Sequence, residues 1–355
     1  MSNRRDTRAD RGGAYHPIVE LTLTRLREFV REPEALFWTF VFPIVMSLVM
    51  AMAFPSRGAR PVPVGIAGGE AAASVRQALA KAPGITVVDI ARGGEQRALR
   101  EGIVHVIVIP TDPPTYQFDG ARVESHTARL VVDDALKRAA GRIDPWVARE
   151  EAVEVPGSRY IDWLIPGIVA MGIMSNGMWG VGFSIVQARM RKLLKRMVSS
   201  PMRKSEYLLA QLLARLTFLA PEVAIPIVFG VLAFGMPVNG SIGAITVVTL
   251  IGSLAFGALG LLIGSRARTF EAVSGLMNIA MLPMWLLSGV FFSSSNFPAA
   301  VQPAIQALPL TALVDALRAV VLEGATLHAV RAELLRLTLW TVVPFGIALR
   351  IFKWR

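Results

Sequence analysis

The chain has 355 residues, 53% of them hydrophobic and 18% charged, with a mean hydropathy of +0.50. Soluble domains carry about 25% charged residues, and here the apolar excess is gathered into long uncharged runs, the pattern of bilayer spans of about 20 residues. The net charge of +11 does not point to nucleic acid, because it is concentrated in short stretches beside those runs: residues 187–206 hold seven Lys/Arg against one acid, while 57–162 balance fourteen against fourteen. Such a distribution reports membrane topology, and no nucleic-acid partner is expected. Cysteine is absent, which excludes disulfides, thiolate nucleophiles and Cys-based metal sites. The four histidines, His16, His105, His126 and His328, are scattered without ligand spacing, so no metal or cofactor site is expected in this chain.

Residues 1–34 read as a cytoplasmic tail and an interfacial helix. Apolar side chains recur at helical spacing from Ile18 to Val30, while Arg25, Arg27, Glu28 and Arg31 hold the other face. The first transmembrane span follows at 35–56, and it reads as an uncleaved anchor rather than a signal peptide. From 57 to 160 the character changes. Apolar runs at Val62–Ala67, Ile85–Ile90 and Val104–Pro110 alternate with helix-like segments at Ala71–Ala82, Glu95–Glu101 and Val123–Ala140, predicting a small α/β domain.

Residues 161–355 then supply five more spans, at about 163–188, 213–235, 241–264, 272–292 and 334–351. The uncharged stretch Val223–Ser265 is twice what one helix needs, and Met236-Pro237-Val238-Asn239-Gly240 divides it. Short helices at 296–325, punctuated by Pro298, Pro303 and Pro309, are expected at the outer surface. The fold predicted is an α-helical polytopic membrane protein of six transmembrane helices with a small α/β domain outside. The basic 187–206 segment, Arg266, Arg268 and the C-terminus fall on the cytoplasmic side, so both termini are cytoplasmic and the α/β domain is extracytoplasmic.

No phosphate-binding G-x-x-x-x-G-K-[ST] loop and no catalytic constellation is present. Uphill work therefore needs a partner or an ion gradient. The clear intramembrane charge is Glu222, beside Pro221, read either as lining a path or as a helix-interface carboxylate near a kink. Gly172, Asn176, Gly180 and Ser184 recur every four residues as a small, weakly polar stripe suited to close helix packing or a path wall. In the 187–206 segment, a basic helix carrying Leu193, Leu194, Met197 and Val198 runs into Ser199-Ser200-Pro201, which suits topology fixation and also helix docking.

Taken in order, several motifs resemble the permease subunits of type-2 ABC exporters over nearly the whole chain. They are Arg27-Glu28-Phe29-Val30-Arg31-Glu32-Pro33, Phe42-Pro43, Ile165-Pro166-Gly167-Ile168, Leu194-Lys195-Arg196-Met197-Val198-Ser199-Ser200-Pro201, Leu287-Ser288-Gly289-Val290-Phe291-Phe292 and Leu308-Pro309-Leu310-Thr311. Where the family usually carries an acidic residue and a glycine before its coupling run, this chain has Met190 and Lys192. The resemblance implies a subunit that is not itself an enzyme and binds no cofactor. ATP is used by a cytoplasmic P-loop ATPase that docks on Arg27, Glu28, Arg31, Arg191, Lys192, Lys195, Arg196, Ser200 and Pro201. It further implies a second permease subunit, as homodimer or heterodimer, contact with membrane lipid, and residence in the cytoplasmic (inner) membrane. The competing readings are a gradient-driven carrier or channel, which predicts repeated halves or several intramembrane charges, and a membrane-anchored binding or scaffold protein.

Overall fold

The computed structural model describes residues 31, 33–54, 61–69, 71–90, 93–143, 146, 149, 151, 157–193 and 204–352. The expected interfacial helix at 18–30 lies outside them. Two compact units emerge: Arg57–Val153, and Met1–Ser56 together with Glu154–Arg355.

In the smaller unit the three apolar runs form β1 (Val62–Ile66), β2 (Ile85–Val88) and β3 (Val106–Ile109), joined through helices α2 (Ala72–Ala80) and α3 (Glu95–Arg100). A fourth strand, β4 (Thr115–Phe118), was not expected, and α4 (Val123–Ala139) follows it. The sheet order is β2-β1-β3-β4, parallel except for the antiparallel β3–β4 pair. Alternation along β3 divides the core. Val106 and Val108 join Leu79, Ala128 and Val132 from α2 and α4, whereas Ile107 packs with Ala98 of α3.

The larger unit is helical. Its apolar helices are α1 (Phe37–Ala53), α5 (Tyr160–Met190), α7 (Leu219–Phe234), α8 (Ile242–Arg266), α9 (Phe270–Leu287) and α12 (Arg331–Ile351). Four of them, α5, α8, α9 and α12, are long and apolar enough to cross a bilayer, and α1 and α7 are shorter. The third expected span at 213–235 is in fact broken. Helix α6 (Lys204–Leu216) ends, two turn residues intervene, and α7 begins at Leu219. The fifth, expected to reach 292, stops at Leu287. The expected short helices at 296–325 are α10 (Gln302–Ala307) and α11 (Pro309–Glu323), and ten of the fifteen residues of α11 are buried. The Ala299–Ala307 and Pro309–Glu323 segments meet at 85°.

A bend of that size frees carbonyls, and α12 supplies donors for them. Arg336 Nη1 donates to the Gln306 carbonyl at 2.9 Å and Trp340 Nε1 to that of Ala307 at 2.9 Å. At the other end of α11, Arg318 lies 3.5 Å from the Trp163 ring centroid and donates to the carbonyls of Trp163 and Gly289 at 3.0 and 2.7 Å.

At the centre α5 lies against α8, and the contact is backbone to backbone. A Cβ on Gly260 would sit 2.7 Å from the Met178 carbonyl and 3.0 Å from that of Gly177. Only glycine permits this approach, which gives two apolar helices packing contacts that side chains of ordinary size would forbid. Gly260→Ala must therefore separate α5 from α8. Overpacking of this kind costs about 1–3 kcal/mol, and a lowered thermal midpoint of the detergent-solubilised protein is expected. Gly243→Ala in the same helix, with nothing within 4 Å of the new carbon, should not lower it.

Candidate functional site

The break between α6 and α7 places two charges together. Arg215 closes α6 and Glu222 opens α7, each at the helix end whose dipole favours its charge. The guanidinium donates to Glu222 Oε2 across the break. Both side chains are buried, Arg215 at 7% and Glu222 at 2% exposure. Glu222, expected as the clear intramembrane charge, is not the only buried charge among the described residues of the helical unit. Its partner Arg215 lies within the stretch assigned to the third span, and Asp162 on α5 is also buried, met by Arg159 through two bonds of 2.8 Å.

The second carboxylate oxygen carries the network to other helices. Asn176 on α5 donates through Nδ2 to Glu222 Oε1 at 2.7 Å, and Thr39 on α1 donates to Asn176 Oδ1 at 3.3 Å. Four helices therefore share one chain of polar contacts: α6, α7, α5 and α1. One turn-pair along α5, Ser184 Oγ lies 3.1 Å from Oε1 of Gln211 on α6, a second tie between the same helices. The stripe predicted on α5 is only partly engaged. Asn176 and Ser184 belong to the network, and a Cβ on Gly172 would lie 3.6 Å from Glu222 Oε1, so Gly172 borders it; Gly180 is exposed and faces open space.

Thr39 arrives there through a local irregularity. Pro43 has no N–H to offer the carbonyl four residues back, and Phe37–Val41 takes up a π-helical turn in which the Phe42 N–H bonds Phe37. Sequence reading missed Thr39, Gln211 and Arg215. The first two are neutral residues that carry no sequence motif, and the third sits at a helix end where an arginine reads as a flank.

Of the residues assigned to coupling, Arg31 is exposed, and Arg191 and Lys192 are exposed at the end of α5. Arg27, Glu28, Lys195, Arg196, Ser200 and Pro201 lie outside the described residues. Arg189 anchors this end. Its guanidinium caps the last turn of α8, donating to the carbonyls of Gly264 at 3.1 Å, Ser265 at 3.3 Å and Ala267. Lys192 then adopts φ of 57°, the left-handed region, alone among the described non-glycine residues. This is the position at which the resembled family usually carries glycine, and the backbone conformation supplies the reason. Among the described residues no group of three or more His, Asp or Glu could hold a metal ion.

Comparison with known proteins bears on this arrangement. The family model described as ABC-2 family transporter protein matches residues 33–350. ABC transporter G family member 20 of Dictyostelium discoideum is 26% identical over 175 residues, 49% of this chain and 24% of that protein. The probable multidrug ABC transporter permease YbhR of Escherichia coli is 23% identical over 198 residues, 56% of this chain and 54% of that protein. Nodulation protein J of Bradyrhizobium diazoefficiens is 27% identical over 205 residues, 57% of this chain and 76% of that protein. The chain thus spans about a quarter of the first of these and about half of the second.

Two stability predictions come from this geometry. Glu222→Gln leaves a buried guanidinium unpaired, which costs about 3–5 kcal/mol, whereas the Arg215→Met/Glu222→Leu double variant removes both charges and should recover most of that loss. Thermal unfolding in detergent of the wild type, Arg215→Met, Glu222→Leu and the double variant measures the coupling, and additive losses would contradict it. Lys192→Gly relieves a left-handed backbone that costs about 1–2 kcal/mol for a side-chain-bearing residue, so its midpoint should rise.

Proposed function

Because the chain belongs to the ABC-2 family of transporter proteins, we propose that it is the membrane subunit of an ATP-driven exporter, worked by a separate cytoplasmic P-loop ATPase and paired with a second permease subunit. In this reading α1, α5, α7, α8, α9 and α12 cross the cytoplasmic membrane, giving six spans, and α10–α11 enters and returns on the outer side. Both termini face the cytoplasm and the Arg57–Val153 unit stands outside.

One observation carries the mechanism: the buried Arg215–Glu222–Asn176–Thr39 chain joins the helix that follows the basic 187–206 segment to three helices of the bundle. The ATPase docks on Arg27, Glu28 and Arg31 of the N-terminal segment and on Arg191, Lys192, Lys195, Arg196, Ser200 and Pro201. Closure of the ATPase dimer on ATP displaces α6. An apolar contact would let α6 slide, because dispersion has little direction. A charge pair in a low-dielectric setting does not, because separation of buried charges is costly. Movement of α6 is therefore passed through Arg215 to Glu222, and through Asn176 and Thr39 to α5 and α1. That is a two-state membrane unit biased by contacts outside the bilayer. Hydrolysis belongs to the partner, and this chain supplies the path by which substrate moves outward.

The test is purification of the tagged chain in mild detergent from cells expressing its native operon. A stoichiometric P-loop ATPase whose hydrolysis depends on this chain is the expected result, and a chain that purifies alone overturns the assignment. Reversing Arg191, Lys192, Lys195 and Arg196 to glutamate should reduce the retained ATPase at least tenfold. The Arg215→Met/Glu222→Leu double variant, which keeps most of the stability, should retain the ATPase and its hydrolysis while export falls, which separates transmission from docking.

A further inference from the structure

In the Arg57–Val153 unit, Leu79 of α2 and Ala128 and Val132 of α4 are buried in one cluster. Beside that cluster the residues of the same two helices are small. Ala78 belongs to α2 and Ala82 lies just beyond its end, while Ala135 and Ala139 belong to α4. Alanines leave room that larger side chains would fill, and these four line an open cleft of about 490 Å³. Ile85 of β2 and Leu130 of α4 add larger apolar surface to it, and Leu130 is 58% exposed. Sites for small molecules occupy about 300–1,000 Å³ and combine apolar walls with a few polar groups that fix orientation. The cleft has both properties.

Its charged lining is Lys81, Asp134 and Arg138. The carboxylate is already engaged. Arg138 Nε donates to Asp134 Oδ2 at 3.0 Å, and the Arg142 guanidinium donates to Oδ1. Lys81 is exposed and, among the described residues, meets no carboxylate. Three cations against one carboxylate leave a surplus of two positive charges. That surplus is local, because residues 57–162 as a whole balance fourteen basic against fourteen acidic residues. Charge of one sign beside low-dielectric walls concentrates ligands of the opposite sign.

We propose that this cleft binds a free, water-soluble organic anion. A compact apolar group lies against the alanines and Leu130, and one carboxylate, sulfonate or phosphate meets the Lys81 ammonium. Apolar burial supplies affinity, and the charge-assisted bond to Lys81 selects by sign. A cation of the same shape meets the positive surplus, and a neutral molecule gains nothing from it. A phospholipid, with two acyl chains, is larger than the cleft. The site lies wholly within the α/β unit, so the inference goes beyond the exporter reading and requires neither an ATPase nor a second subunit.

The chain has no cysteine, so Ala78→Cys reports on the cleft without background. With the full chain in phosphatidylcholine nanodiscs, millimolar naphthalene-2-sulfonate should slow alkylation of this cysteine by N-ethylmaleimide at least fivefold. Gln96→Cys, at an exposed position of α3, should react at an unchanged rate. Leu130→Cys repeats the measurement from α4 if the change at 78 disturbs α2. Equal protection by 2-naphthylmethylammonium should need at least tenfold more ligand. Added to Ala78→Cys, Lys81→Glu should weaken the sulfonate at least tenfold, and Ala139→Trp, which fills the cleft, should abolish protection; both positions are exposed. Equal protection at 78 and 96, equal potency of the ammonium, or protection unaltered by Lys81→Glu would each overturn the proposal. Protection produced by phosphatidylglycerol nanodiscs without the sulfonate would assign the cleft to lipid and overturn it as well. The readout contains no ATPase, so failure of the exporter reading leaves these outcomes unchanged.

Discussion

Within a bilayer no water meets a backbone or side-chain polar group, so each departure from regular helix must be answered from inside the protein. Three departures among the described residues of the helical unit each have an identifiable answer. The π-helical turn at the head of α1 places Thr39 toward Asn176. The break between α6 and α7 is closed by Arg215 and Glu222. The bend between α10 and α11 is met by Arg336 and Trp340, one helical turn apart on α12. Cross-helix hydrogen bonds and the glycine contact between α5 and α8 together hold the bundle, where hydrophobic burial alone supplies little drive between apolar helices.

Proline stands at a constant offset from three of the buried polar residues. Thr39 stands four residues before Pro43, Asp162 four before Pro166 and Glu222 four before Pro226. A proline cannot donate to the carbonyl four residues earlier and presses its ring against it. Thr39, Asp162 and Glu222 thus sit where the helix ladder is interrupted. Local opening there gives side chains access to a neighbouring helix that a continuous ladder would restrict.

The apolar runs and the α/β elements were legible because burial imposes periodicity on sequence: β1, β2 and β3 and helices α2, α3 and α4 appear where alternation and helical spacing put them. β4 was not, since Thr115-Tyr116-Gln117-Phe118 is short, follows two prolines, and gains its strand character from pairing with β3. Half of the polar network was legible for a similar reason. Asn176 and Glu222 are conspicuous against apolar neighbours, whereas Arg215 resembles the flanking charge of a span end, and only the position of the α6–α7 break shows it to be buried. Lys192 illustrates a different limit. A left-handed backbone is invisible in a lysine, and only the backbone φ of 57° at this position reveals it.

A buried ion pair is weak evidence for stability, because well-packed apolar residues of similar volume often hold a core as well or better. The retention of Arg215 and Glu222 therefore asks for another reason, and geometry offers one on the proposed reading. The pair spans the break between two helix segments, and it is bonded onward to α5 and α1 by neutral partners. Replacing it with leucine and methionine would keep the volume and discard the direction. A joint that must transmit displacement in one direction needs contacts that resist sliding, and in an apolar bundle charge-assisted hydrogen bonds are the strong, directional contacts available.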